Sequence, residues 1–270
     1  MSKGAGGKQS MKIGFIGAGE MGRAIIKGLI NAKHVASENI LIHSAHKTSY
    51  EPFAQQYHLS ACATNRDVVV NSDVVVLAVI PDYADAVLRE VKAELAGKTL
   101  ISIVGGMSIA HLEEVGGALP ILRSLPNINV AGNVGMTALA ANDALSGARL
   151  EQATALFEAI GDVSWQAEDK FAIFSAIAGS GPAYVDYFID ALSRAGVKYG
   201  LTKKDATKIA AMTVQGSSEM VLRATDETPM DFVDAVCSPG GSTVAGLLAM
   251  EEAGLTTAVV KGIDATVNKN

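Results

Sequence analysis

The sequence predicts an α/β fold, a doubly wound sheet across residues 11–170 followed by an all-helical region across residues 171–270. Three observations predict it. Short apolar runs alternate with helical spacings from Lys12 to Trp165, the pitch of β-α-β crossovers. Residues 73–79 carry Val or Leu at five positions, the near-continuous apolar run of a strand buried on both faces of a parallel sheet. After Lys170 no further convincing strand run occurs.

Residues 12–16 read as the first buried strand. Residues 20–32 then place Met21, Ile25, Leu29 and Ile30 at a helical spacing. A strand over 39–43, a helix over 50–57, a helical turn over 67–70 and the strand over 73–79 follow. Next come a helix over 83–95, a strand over 99–104 and a helix over 109–114. Strands over 121–124 and 135–141, a helix over 150–160 and a short strand over 162–165 end the alternation.

In the second region, residues 182–199 place Tyr184, Phe188, Leu192 and Ala195 on one helix face and Asp186, Asp190 and Arg194 on the other. Thr202 with Asp205 resembles a capping box that opens a helix over 203–223. Thr228-Pro229 and Ser238-Pro239 each read as a cap residue before a proline in the first helical turn. The helices over 203–223 and 243–267 are apolar around much of their circumference and need cover. About one hundred residues make a thin core, so a homodimer through this region is expected; cover by the first region is the alternative.

Hydrophobic residues make up 49% of the chain and charged residues 19%, a balance that supports a packed core and excludes a disordered chain. A net charge of −6 without any basic block argues against nucleic acid as a partner. Cys62 and Cys237 form no CxxC pair, and His34, His43, His46, His58 and His111 show no metal-ligand spacing. No metal site and no disulfide framework are therefore expected, and a reducing, cytoplasmic setting fits. Residues 1–10 lack the apolar core of a signal peptide and read as a flexible leader outside the fold. The longest apolar tract, residues 68–81, is broken by Asn71, Ser72 and Asp73, so no membrane span is expected.

Gly17-Ala18-Gly19-Glu20-Met21-Gly22 is a G-x-G-x-x-G that follows a strand and opens a helix, the fingerprint of a Rossmann dinucleotide-binding domain. Gly17 permits the tight turn, Gly19 lets the backbone approach a pyrophosphate, and Gly22 lets helix and strand pack closely. The helix N-terminus adds amide donors and positive dipole for the phosphates. About 20 residues on, where NAD binders carry an acid, stands His43-Ser44-Ala45-His46-Lys47, with no acid before Glu51. Ser44 can donate to a 2′-phosphate and Lys47 can neutralise it, which points to NADPH, with NADH as a weaker alternative. For His43, His46 and Lys47 an ordinary solvated loop is an equally good reading.

Two loops in the helical region stand out, residues 175–184 (SAIAGSGPAY) and residues 238–243 (SPGGST). In the second, Ser238 caps, Pro239 fixes φ, and Gly240 and Gly241 strip side chains from the first turn. What remains is a nest of amides beside the Ser238, Ser242 and Thr243 hydroxyls, suited to a small carboxylate.

These loops, together with GAGEMG, AVIP at 78–81 and RSLPN at 123–127, resemble the pyrroline-5-carboxylate reductase family from Met11 onward. The resemblance implies NADPH-dependent reduction of 1-pyrroline-5-carboxylate to L-proline, the last step of proline biosynthesis, by an oxidoreductase acting on a CH–NH bond. It implies that Ile16, Gly17, Ala18, Gly19, Glu20 and Met21 hold the pyrophosphate, Ser44 the 2′-phosphate and Asn65 the adenosine side. Ala78, Val79, Ile80 and Pro81, with Ile103 and Gly105, would line the ribose and nicotinamide. Ser238, Gly240, Gly241, Ser242, Thr243 and Ser180 would hold the substrate, with the Thr243 hydroxyl near the ring nitrogen as the catalytic group. Tyr184 is a second candidate donor, although a core aromatic is the plainer reading. The resemblance also implies a homodimer, and the family's dimers can assemble into rings.

The chain departs from the family pattern at Ile80, where a Lys is usual, at Leu125, where a Met is usual, and at Thr228, where a His is usual. Ile80 puts any charge contact from its loop in doubt. A β-hydroxyacid dehydrogenase would need a basic Lys, and Lys198, Lys203, Lys204 and Lys208 lie in exposed-looking patterns. A sensor without chemistry would rest on Ile80 alone.

Overall fold

A computed structural model describes residues 11–269, so the leader expected at residues 1–10 lies outside the described residues. The chain forms two compact units that divide after Gly179.

The first unit contains, in chain order, β1 (Ile13–Ile16), α1 (Glu20–Asn31), β2 (Ile40–His43), α2 (Lys47–Tyr57) and β3 (Ser60–Ala61). Then come α3 (Asn65–Val70), β4 (Val74–Leu77), α4 (Pro81–Val91), β5 (Thr99–Ser102) and α5 (Ile109–Gly116). The unit closes with β6 (Ile121–Pro126), β7 (Gly135–Ala141), α6 (Gly147–Glu158), β8 (Gly161–Trp165) and α7 (Phe171–Phe174). One π-helical turn, Ser175–Gly179, follows α7. The sequence reading places α7 and this turn with the helical region; in the structure they belong to the sheet unit. Strand β3 has only two residues, too few to leave a periodic signal.

The eight strands lie in the order β3-β2-β1-β4-β5-β6-β7-β8. Strands β1 to β6 are parallel, each joined to the next by a connection over one face. Strand β7 runs antiparallel to β6, because only the short turn Ile128–Gly132 joins them and no crossover helix intervenes. The sheet buries apolar side chains on both faces. Phe15, Val74, Val76 and Ile101 pack toward α1, α2 and α6; Ile16, Val75, Leu77 and Leu100 pack toward α3, α4 and α5. Every residue of β1 and β4 is buried, and each large apolar side chain contributes about 1.5–3 kcal/mol.

RSLPN proves to be a structural knot in this unit. The Arg123 guanidinium pairs with Glu168 and stacks 4.3 Å over Phe171. Ser124 donates to the Ser102 carbonyl. Buried Asn127 donates to the carbonyl of Ala178 in the π-turn at 3.1 Å and accepts from the Met136 amide at 3.2 Å.

The second unit holds α8 (Gly181–Lys198), α9 (Lys203–Arg223), α10 (Pro229–Val236), α11 (Ser242–Glu252) and α12 (Leu255–Val267). Thr202 caps α9 through the Asp205 amide, and the capping box falls not there, as the sequence suggests, but on α10, between Thr228 and Asp231. Helices α8 and α9 pack closely where Gly196 meets Ala206; a Cβ on Gly196 would lie 2.9 Å from the Ala206 methyl. The single helix expected over 243–267 is two, α11 and α12, separated at Gly254, whose φ of +83° ends a helix. Helices α10, α11 and α12 contain no buried residue, and the unit exposes Tyr187, Leu222, Val236, Leu248, Val259 and Val260. No single helix among the described residues is long and apolar enough to cross a membrane.

Candidate active site

The strand order reverses between β1 and β4, and a cleft of about 480 Å³ opens where their C-terminal ends diverge. Its lining includes Ile16, Gly17, Ala18 and Gly19 from the first loop, and His43, Ser44, Ala45 and His46 after β2. Asn65 lines it from α3, and Ala78, Val79 and Ile80 from the loop after β4.

The glycine loop has its shape for identifiable reasons. Gly17 sits at φ +104°, and a Cβ there would lie 2.4 Å from the Ala78 carbonyl oxygen. The Gly17 amide donates to the His43 carbonyl at 2.9 Å, and the Ala78 amide donates to Ile16 at 2.8 Å. The loop is thus sewn to β2 on one side and β4 on the other. A Cβ on Gly22 would meet the Gly17 carbonyl at 3.2 Å, which keeps α1 close to the strand. At Gly19 a Cβ would meet nothing within 4 Å. Gly19 is the N-cap of α1, and no side chain among the described residues caps that helix. Bare amides, a helix N-terminus and open space at Gly19 fit a dinucleotide pyrophosphate.

Beyond the loop, Arg23 donates through Nε to the Ala18 carbonyl and through Nη2 to the backbone and hydroxyl oxygens of Ser49, each at 2.8 Å. It ties the glycine loop to the first turns of α2. Among the described residues Ser44, His46 and Lys47 have no side-chain partner, which leaves a hydroxyl, an imidazole and an ammonium for a ligand. Asn65 donates through Nδ2 to Glu90 Oε2 at 2.9 Å, so its carbonyl oxygen is the end left to accept.

Glu20, Met21, Pro81 and Gly105 do not line this cleft. Pro81 serves as the first residue of α4, with Ile80 as N-cap and 59% exposed. Conversely, Tyr83, Ala86, Val87 and Glu90 line the cleft and were not anticipated. Their spacing of three, one and three residues marks one face of α4, a signal visible in the sequence once that face is known to turn toward the cofactor.

In the second unit, SPGGST differs from the capped helix start expected. The Gly241 amide donates to the Ser238 carbonyl at 2.9 Å, and Gly240 has φ +70°. Residues 238–241 therefore form a type II turn, with Pro239 and Gly240 at its two central positions. The helix begins later, at Ser242, with Gly241 as N-cap and no side-chain cap among the described residues. Ser238 caps nothing, yet its hydroxyl packs against the N-cap; a Cβ on Gly241 would lie 2.5 Å from Ser238 Oγ. The turn gathers the Ser238, Ser242 and Thr243 side chains, all exposed, around one uncapped N-terminus. Ser180 is the N-cap of α8, also without a side-chain cap bond. The Tyr184 hydroxyl lies 2.5 Å from Thr266 Oγ1 and so has a structural partner.

Residues 168–270 match the family described as pyrroline-5-carboxylate reductase dimerisation, and residues 12–106 match the family described as NADP oxidoreductase, coenzyme F420-dependent. The chain is 33% identical to the pyrroline-5-carboxylate reductase of Synechocystis over 261 residues, covering 97% of each protein. It resembles the crystal structure of the Plasmodium falciparum pyrroline carboxylate reductase with NADP bound, at a TM-score of 0.88 and 32% identity across 97% of this chain and 98% of that one. The 1-pyrroline-5-carboxylate reductase of Streptococcus pyogenes matches with a TM-score of 0.85 and 36% identity over 96% of this chain and 97% of that one. With a third of its residues identical along nearly its whole length, a cofactor cleft at the β1–β4 switch point and a matched dimerisation region, the chain belongs to the pyrroline-5-carboxylate reductase family.

Proposed function

We propose that the NADPH-dependent reduction of 1-pyrroline-5-carboxylate to L-proline is carried out here mainly by orientation. NADPH supplies the hydride, which adds to the C=N carbon. The observation that carries the reading is the uncapped N-terminus of α11 behind the 238–241 turn. The amides of Ser242 and Thr243 and the Ser238 hydroxyl hold the substrate carboxylate there, with Gly240 and Gly241 keeping side chains out of its way. Ser180 contributes a further hydroxyl. Thr243 Oγ1 hydrogen-bonds the ring nitrogen. A cyclic imine near neutral pH is readily protonated, and an iminium needs little acid catalysis, so holding the reacting partners in place supplies most of the rate.

On the cofactor side, the amides of residues 18–21 take the pyrophosphate, Ser44 the 2′-phosphate and Asn65 the adenosine. Ala78, Val79 and Ile80 border the ribose and nicotinamide. The second unit pairs with a second copy of the chain, supported by its exposed apolar side chains and the matched dimerisation family. The paired dimers can build rings, and neither nucleic acid nor membrane is a partner. Two unpaired cysteines suit a cytoplasmic enzyme.

The test is the fall in NADPH absorbance with 1-pyrroline-5-carboxylate, for the wild type and Thr243→Ala. Turnover should drop at least about tenfold, the worth of one hydrogen bond in the transition state, while NADPH affinity is kept. Equal losses in both would remove Thr243 from the chemistry.

A further inference from the structure

His43, the last residue of β2, stands where a dinucleotide-binding fold that selects NADH carries a carboxylate. Its ring is half-buried in the cleft wall and held from two sides. Nδ1 lies 3.1 Å from the Cys62 carbonyl oxygen, and the ring meets Tyr50 edge-on at 5.3 Å. Tyr50 is itself fixed, its hydroxyl donating to the same carbonyl at 2.9 Å. A carbonyl can only accept, so Nδ1 carries a proton in both charge states of the ring. The proton that comes and goes is the one on Nε2, which has no partner among the described residues.

We propose that His43 is a titrating reader of the cofactor's 2′-position, donating from Nε2 to the 2′-phosphate of NADPH when charged and accepting from the 2′-hydroxyl of NADH when neutral. The inference rests on the 2′-phosphate lying at the Ser44 loop. Because the ring is fixed, protonation changes what Nε2 offers without moving it. A neutral Nε2 presents a lone pair that repels a phosphate oxygen; a protonated one presents a charge-assisted donor. Preference for NADPH over NADH must then strengthen as Nε2 gains its proton.

The charged and titratable groups around the ring do not mask this. Tyr50 and Cys62 are both pushed up by burial, so they stay neutral where an imidazole titrates. Lys47 and Glu51 sit on α2, Asp67 on α3 near Cys62, and Glu90 on α4, where it holds Asn65. None of the four is an imidazole. His46 is the other imidazole lining the cleft, so it has to be separated by mutation.

The experiment measures dissociation constants for NADPH and for NADH by cofactor fluorescence, from about pH 6.5 to about pH 8.5, where the 2′-phosphate is mostly dianionic. The wild type, His43→Asn and His46→Asn are compared. The Asn amide keeps a donor toward the Cys62 carbonyl and removes Nε2. The ratio of NADH to NADPH dissociation constants should fall about tenfold across the window in the wild type and in His46→Asn, and stay flat in His43→Asn. Should His43→Asn not fold, the imidazole resonances of the wild type serve instead: NADPH should raise the titration midpoint of His43, and NADH should not. A flat ratio in the wild type with saturable NADPH binding overturns the role of His43 alone. A slope that survives in His43→Asn and vanishes in His46→Asn transfers the role to His46. Absence of saturable NADPH binding in the wild type overturns the cleft assignment with it.

Discussion

Gly17 and Gly19 lie two residues apart in one loop, and the structure assigns them opposite consequences. At Gly17, φ is +104° and an added Cβ would lie 2.4 Å from the Ala78 carbonyl oxygen and 2.6 Å from its carbon. That backbone cannot retreat easily, because the Ala78 amide is bonded to Ile16. The φ strain costs about 1–3 kcal/mol and the overlap about 1–3 more. Gly17→Ala should therefore remove roughly 2–6 kcal/mol of a total that is typically about 5–15. For a domain of this size the melting temperature falls by roughly 5–20 °C. At Gly19, φ is −73° and the added methyl meets no protein atom within 4 Å. Gly19→Ala should lose only a weak cap preference, at most about 1 kcal/mol, and melt within a few degrees of the wild type. Its methyl instead fills the space assigned to the pyrophosphate. Losing close approach to the amides costs about 2 kcal/mol, roughly thirtyfold in the NADPH dissociation constant. Thermal melts by circular dichroism and NADPH titrations by fluorescence read the two effects separately. Wild-type affinity in Gly19→Ala would refute the pyrophosphate cradle. A wild-type melt for Gly17→Ala would refute the packing argument.

Ile80 is exposed in the cleft wall, and Ile80→Lys should tighten NADPH about three- to tenfold at low salt, with the gain shrinking as salt rises. An unchanged constant would place position 80 beyond reach of the cofactor phosphates. In the second unit, Asp190 accepts from Lys203 Nζ at 2.5 Å and Arg194 Nε at 2.6 Å, and these bonds hold its carboxyl below the ordinary range. Its stabilising contribution is complete above the unfolded value of about 3.9 and is lost as pH falls through the lower folded value. Asp190→Asn should melt below the wild type at neutral pH and converge with it between about pH 4 and about pH 2; parallel curves would rule out the Asp190–Lys203–Arg194 cluster as the cause.

Most of the first unit is legible in the sequence because its signals are short-range. The apolar run at 73–79 is too short and too Val-rich for a helix and reads as a buried strand, and GAGEMG after a strand reads as a sharp turn into a helix. The same locality explains the errors. Ser238-Pro239 looks like a helix cap, yet the positive φ of Gly240 closes a turn first and moves the helix start to Ser242. The apolar stretch 243–267 looks like one helix because composition does not register the left-handed break at Gly254.

By itself the sequence determined most element types, the glycine loop, the polar residues after β2 and the places of the two motifs of the helical unit, since each depends on neighbours a few positions away. Tertiary structure alone decided that β1 lies beside β4, which opens the cleft and brings α4, with Tyr83 and Glu90, into its wall. It also decided that Arg123 and Asn127 brace Glu168 and the π-turn, and that the Cys62 carbonyl fixes the ring of His43. These pairings join residues 19 to 51 positions apart. No local pattern encodes them, because they arise only when the sheet order brings distant strand ends together.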